Sequence, residues 1–199
     1  MRIILASQSP RRRELLERMG IFAFEVIPAR GEEVVHPGLA PARLVEELSR
    51  QKCDEVAAAH PEALVIAADT VVSIDGRILG KPRSPAAAAE MLCVLSGREH
   101  IVYSGLTVRC GGQAFTEHEA TSVRFRTLSA GEIDRYVGTG EPMDKAGAYG
   151  IQGYGSVLVE GISGDYYNVV GLPVCRLARL LARFGVDPLA LAAEKEQGT

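Results

Sequence analysis

Residues 63–72, Ala-Leu-Val-Ile-Ala-Ala-Asp-Thr-Val-Val, are apolar at all but two positions. A run of this length without alternation suits a strand covered on both faces, as parallel strands of α/β proteins are. The preceding segments agree. Residues 3–6 read as a short buried strand, 10–19 as a helix, 24–27 as a second strand, and 41–59 as a long helix opened by Pro41. Strands alternating with helices place the chain in the α/β class.

The pattern then changes. Ile74-Asp75-Gly76-Arg77-Ile78 reads as a hairpin turning at Asp-Gly. Residues 84–95 form a helix with Ser84 as cap and Pro85 at its first position. Residues 101–108 and 114–125 alternate as antiparallel strands joined at Gly111-Gly112, and 129–137 is a short helix. Residues 138–171 hold nine of the 21 glycines, so a loop with close backbone approach is expected there, enclosing a strand at 156–160. A closing amphipathic helix spans 173–184, and the residues from about 186 to 199 read as a tail, frayed at its end. The whole is expected to be a single domain over 1–199.

Composition excludes several classes. Apolar residues make up 47%, too many for disorder. No stretch approaches the ~18 uninterrupted apolar residues of a membrane span. The apolar run at the N-terminus is too short for a signal peptide, so a cytoplasmic location is expected. Cys53, Cys93, Cys110 and Cys175 are far apart and form no zinc spacing, which suggests free, mostly buried thiols. The four histidines are scattered as well. A net charge of −3 indicates no broad nucleic-acid face.

Basic residues are nonetheless concentrated at one point. Ser7-Gln8-Ser9-Pro10-Arg11-Arg12-Arg13 follows the first strand, with Ser9 fitting an N-cap and Pro10 the first helical position. Arginines in a first turn oppose the helix dipole. They either point into water or share an anion with the free N–H groups, phosphate being the natural candidate.

Other residues stand out in the same way. Leu44, Leu48, Lys52 and Val56 share one helix face, so Lys52 either snorkels out or meets an anion such as phosphate. Asp69 closes the apolar run at what should be the carboxyl side of a central strand, where α/β sheets bind ligands. It either satisfies loop N–H groups or ligates Mg²⁺ and activates water, with the Thr70 hydroxyl beside it. Lys81 follows Gly80, but the match to a phosphate-binding P-loop fails: three residues, not four, separate Gly76 from Gly80, and Pro82 replaces the hydroxyl residue. Lys81 is either a surface charge or a point charge for phosphate. Glu32 and Glu33 are either solvated or part of an oxygen-ligand cation site with Asp69. Ser49-x-x-Lys52 matches a penicillin-binding motif without its partner motifs and is discounted. Gln152, inside the glycine-rich 140–153 segment, has an amide that both donates and accepts and suits a base edge; Tyr149 either stacks or packs.

Together these residues resemble the Maf family of nucleotide pyrophosphatases. The resemblance rests on Ala6-Ser7-Gln8-Ser9-Pro10-Arg11-Arg12, Glu33, Lys52, Ala68-Asp69-Thr70-Val71-Val72, Leu79-Gly80-Lys81-Pro82, Leu95-Ser96-Gly97, residues 140–153, and the run from Gly164 to Pro173. It implies a two-lobed mixed-sheet fold similar to inosine-triphosphate pyrophosphatases, with a cleft between the lobes. It implies metal-assisted hydrolysis of a nucleoside triphosphate to monophosphate and pyrophosphate, by a cytoplasmic homodimer. Arg12, Thr70 and Gln152 resemble the branch acting on dTTP and UTP rather than that acting on 7-methyl-GTP. On that reading Ser7, Arg11 and Arg12 bind phosphate with Lys52 and Lys81. Glu33 and Asp69 hold Mg²⁺, Mn²⁺ or Co²⁺, and Asp69 activates water. The alternatives are a nucleotide-binding regulator of septum formation without turnover, or the same chemistry on another base such as 7-methyl-GTP.

Overall fold

The computed structural model describes residues 1–36 and 38–197; Pro37, and with it the turn expected at Pro37-Gly38, falls outside that set. Among the described residues the chain is mixed α/β. Strands β1 (Ile3–Leu5), β2 (Glu25–Val26), β3 (Leu64–Ile74), β4 (Arg77–Leu79), β5 (Glu99–Cys110), β6 (Gln113–Phe125) and β7 (Val159–Ser163) form one sheet. Its order is β2-β1-β3-β5-β6-β7, with β4 paired to β3. The helices are α1 (Pro10–Arg18), α2 (Pro41–Ala59), α3 (Pro85–Leu95), α4 (Ala130–Gly138), α5 (Tyr166–Val170), α6 (Val174–Ala182) and α7 (Pro188–Gln197).

The chain divides into two compact units. The first comprises 1–69, 104–119 and the residues from Gly171 onward, the second 70–103 and 120–170.

In the first unit β1 pairs in parallel with both β2 and β3, at registers Leu5↔Val26 and Leu5↔Ile66. The opening half of β3 is buried at Leu64, Val65, Ile66, Ala67 and Ala68, the two-sided burial that its composition requires. Helix α2 packs Cys53, Val56 and Ala57 against Ile4, Ala6, Val65 and Ala67. Polar side chains inside this unit are paired: the Ser49 hydroxyl bonds that of Thr107 at 2.9 Å and the Glu46 carbonyl at 2.9 Å. Ser49 is thus a core hydroxyl, in keeping with its dismissal as a nucleophile. The thiols are free, but of the four only Cys53 is buried; Cys93 and Cys175 are exposed, which corrects the expectation of mostly buried thiols.

The second unit holds the Asp75-Gly76 hairpin, where both residues have positive φ (51° and 73°), as a two-residue turn between right-twisted strands demands. Its core gathers Leu92, Leu95, Phe125 and Tyr149, and the His100 ring packs edge to face on Phe125 and Tyr149. The Tyr149 ring meets Phe125 edge to face at 4.7 Å, so it packs within the protein.

His100 is 2% exposed, and its Nε2 lies 2.8 Å from the Tyr149 hydroxyl. Burial pulls its pKa from 6.5 down to about 4. The unfolded chain therefore takes up the proton first, so stability is full above about pH 6.5 and falls as pH drops towards 4. The loss should reach about 3 kcal/mol. Urea unfolding of the wild type between pH 7 and 4 should show that slope, and His100→Gln should flatten it. Equal slopes for the two proteins would contradict this.

Two segments differ from the sequence reading. The strand expected at 156–160 is a 3-10 turn, Tyr154–Leu158, followed by β7. The amides of Tyr154 and Gly155 donate to the Glu141 carboxylate instead of a sheet ladder. The stretch read as a tail forms α7. Asp187 caps it, its carboxylate accepting from Leu189 N at 2.9 Å, and Pro188 opens the first turn. The Lys195 ammonium lies 3.3 Å from the centre of the Phe22 ring.

Candidate active site

Three parallel strands set the position of the site. Beyond the end of β1 the chain turns through Ser7 into α1, while β3 runs on to Ile74. Asp69 thus lies within β3 rather than at its end, three residues past the Ile66 that pairs with Leu5. The placement still puts it beyond the carboxyl end of β1, the region where α/β sheets gather ligands.

Asp69 is bonded to Lys52. The Lys52 stem leaves the face of α2 that buries Leu44, Leu48 and Val56, and its ammonium contacts Asp69 Oδ1 and, at 2.9 Å, Glu33 Oε1. The lysine on an apolar stripe therefore has its anionic partners within the protein. Its side chain is 20% exposed, Asp69's 14% and Glu33's 47%, so the three-group cluster opens to solvent on the Glu33 side.

Glu33 stands on an exposed loop, and α2 pins that loop at three more points. Gln51 accepts from Val34 N and donates to Val34 O, each at 2.9 Å. Glu55 accepts from Arg30 N at 2.7 Å and Gly31 N at 3.1 Å. Gln51, Lys52 and Glu55 thus clamp residues 30–34 from one helix. Gln51 and Glu55 were not singled out in the sequence, although their spacing around Lys52 on one helix was visible. An open cavity of about 500 Å³ borders this loop, lined by Glu33, Lys52 and Glu55 among others.

At the head of α1, Ser9 occupies the cap position, but its side chain makes no cap bond, contrary to its expected role. The Ser7 hydroxyl accepts from Ser9 N and from Arg12 Nη1, both at 3.2 Å. With both donors directed at its lone pairs, the Ser7 proton can be offered to an anion. Arg12 Nε donates to the Gly171 carbonyl at 2.8 Å. Burial disfavours the Arg12 charge and lowers its pKa, while Asp69 and Glu33 act in the opposite sense and Arg11 repels it. Arg11 is half-buried on the same turn. Arg13 points outward and pairs with Glu17 at 3.1 Å.

The first unit therefore brings together Ser7, Arg11, Arg12, Glu33, Lys52 and Asp69. Thr70, Lys81 and Gln152 belong to the second unit. There, Lys81 is exposed and forms no ion pair among the described residues. Its neighbour Gly80 accepts from Gly147 N at 3.1 Å, which ties the Lys81 segment to the glycine-rich loop carrying Gln152. Gln152 is itself exposed. The loop closes on Glu141, which was not picked out in the sequence; the glycine density was its signal, since a Cβ at Gly153 would strike the Glu141 carboxylate and one at Gly155 the Tyr136 hydroxyl that bonds it.

No group of three or more His, Cys, Asp or Glu side chains suited to a metal occurs among the described residues. Glu33 and Asp69, however, reach one common point, the Lys52 ammonium. Two carboxylates suffice for Mg²⁺ when water and phosphate oxygens complete its shell. The donor set therefore fits a hard divalent cation. No helix among the described residues is long and apolar enough to cross a membrane.

A profile of the Maf-like protein family matches residues 2–184. The chain is 55% identical over 188 residues to the dTTP/UTP pyrophosphatase of Moorella thermoacetica, covering 94% of this chain and 96% of that protein. It is 51% identical over 183 residues to the dTTP/UTP pyrophosphatase of Symbiobacterium thermophilum, covering 92% and 94%. Among solved structures, the Staphylococcus aureus Ham1 protein aligns over 80% of each chain at 17% identity, with a TM-score of 0.48.

Proposed function

The chain belongs to the Maf-like protein family, and on that premise we infer that it is a nucleoside triphosphate pyrophosphatase acting on dTTP and UTP. The observation that carries this reading on the structural side is the convergence of Glu33 and Asp69 on Lys52, beside the uncapped, arginine-bearing start of α1.

In the proposed reaction the oxygen of a water molecule forms a bond to the α-phosphorus. The bond from that phosphorus to the α–β bridging oxygen breaks, and pyrophosphate leaves with the bridging oxygen. Asp69 accepts the proton of the attacking water. The Lys52 ammonium, already bonded to Asp69, orients that carboxylate. Ser7, Arg11 and Arg12 bind phosphate oxygens: arginine supplies paired donors, and Ser7 supplies one proton in a fixed direction. Lys81 adds a point charge towards the phosphates, with Thr70 contributing a hydroxyl. Gln152 pairs with the uracil-type edge, whose donor and acceptor its amide can match.

Mg²⁺, Mn²⁺ or Co²⁺ would be held by Glu33 and Asp69. When bound, the cation neutralises phosphate charge. With most of the work done by positioning and charge, the site follows the general pattern of phosphoryl chemistry.

Pyrophosphate release from a panel of nucleoside triphosphates, with and without divalent cation, tests the reading. Turnover of dTTP and UTP above the purine nucleotides, lost on chelation, is expected. Stoichiometric nucleotide binding without product would instead identify a nucleotide-binding regulator.

A further inference from the structure

The glycine-rich segment after α4 is folded around one side chain. Glu141 Oε1 accepts from the Tyr136 hydroxyl at 2.9 Å and from Gly155 N at 3.0 Å, and Oε2 accepts from Tyr154 N at 2.8 Å. The Glu141 carbonyl takes Lys145 Nζ at 2.7 Å. The Tyr136 hydroxyl accepts in turn from Gly150 N at 3.1 Å, so bonds from this pair fix the backbone on both sides of Gln152. A side chain at Gly153 would collide with the Glu141 carboxylate, which explains the glycine beside Gln152. Burial pushes the Glu141 carboxyl up, but the amides of Gly155 and Tyr154, the Tyr136 hydroxyl and Lys145 together bring it below the usual range. The carboxylate is thus the form the loop is built around. Gln152 itself is exposed, with no side-chain hydrogen bond among the described residues, so the backbone of 150–155 is what places its Cα and sets the reach of its amide.

We propose that Glu141 is a positioning residue for base recognition, holding residues 150–155 in the conformation that aims the Gln152 amide at the pyrimidine edge. This rests on the assignment of Gln152 to the base in the proposed function. Both Glu141 carboxylate oxygens are engaged by Tyr136, Tyr154 and Gly155, so it acts through the loop. The Gly155 amide is shielded, and leaving it without an acceptor is costly; a small misplacement of a recognising group is costly too.

The test is steady-state kinetics on Glu141→Ala and Tyr136→Phe, with Gln152→Ala as reference. Tyr136→Phe keeps the ring in the core and removes only the hydroxyl, so it remains informative if Glu141→Ala folds poorly. For Glu141→Ala the KM for UTP should rise about tenfold or more with kcat within about threefold of wild type. The UTP-over-CTP preference in kcat/KM should shrink by a similar factor. Tyr136→Phe should show the same pattern at about threefold. Inorganic tripolyphosphate, which has no base, should inhibit wild type and variants with the same Ki. In the Gln152→Ala background, Glu141→Ala should add little further rise in KM.

A KM and base preference unchanged in both variants would overturn the proposal. So would a weakened tripolyphosphate Ki, or effects of Glu141→Ala and Gln152→Ala that simply multiply. Wild-type enzyme that fails to hydrolyse UTP and dTTP would overturn the proposed function itself, and this inference with it; the wild-type arm keeps the two failures apart.

Discussion

Asp69→Asn should lower kcat for dTTP by about 10³-fold, the scale expected on losing a positioned general base, with the nucleotide still bound. The substitution also weakens one of the two ligands proposed for the divalent cation, but leaves most of the protein's own contacts in place. The asparagine Oδ1 can still accept from the Lys52 ammonium, which bonds Oδ1 in the native site. The strand around it, from Leu64 to Ala68, is buried by contacts that do not involve the carboxylate. Ser7, Arg11 and Arg12, which carry the proposed phosphate contacts, are untouched. Calorimetric titration with dTTP should therefore give a Kd within about tenfold of wild type, one carboxylate contact being a small part of the binding. Turnover near the wild-type rate would remove Asp69 from the reaction.

Lys52→Met separates chemistry from packing. Methionine keeps the unbranched stem that emerges between Leu48 and Val56 on α2, and removes the ammonium. Without it, Asp69 and Glu33 face each other as like charges, and Asp69 loses the donor that orients it. Removing one preorganised electrostatic partner from a reacting site costs about 10²–10³ in kcat. Stability should change by less, because Glu33 is half exposed and water can reach it. A stopped-assay rate and a thermal melt on the same sample distinguish the cases. A drop in Tm with kcat intact would make Lys52 a packing residue alone.

How much of this was legible depends on whether a residue's signal was local. The two-sided burial of β3, Pro41 and Pro85 at their helix starts, and the Asp75-Gly76 turn are written in adjacent residues, and the structure has all of them. The α7 start was equally local, in Asp187-Pro188, but the small and charged residues that follow resemble a tail. The partners of Lys52 were not local. Its anomalous position on an apolar face was visible, but the two carboxylates that answer it come from residues 33 and 69, which only the fold brings together. Glu141 was hidden for the same reason: two of its carboxylate's three partners are backbone amides, and amides carry no residue identity. Glycine density marked the close approach without saying what approached.

In the proposed reaction water attacks the α-phosphorus and pyrophosphate is the leaving group. Hydrolysis of dTTP by the wild-type protein in ¹⁸O-labelled water, with products resolved by mass spectrometry, reads this directly. The label should appear in dTMP, one atom per molecule, and be absent from pyrophosphate. Label in pyrophosphate, or products of dTDP and labelled orthophosphate, would contradict the proposed chemistry at this site.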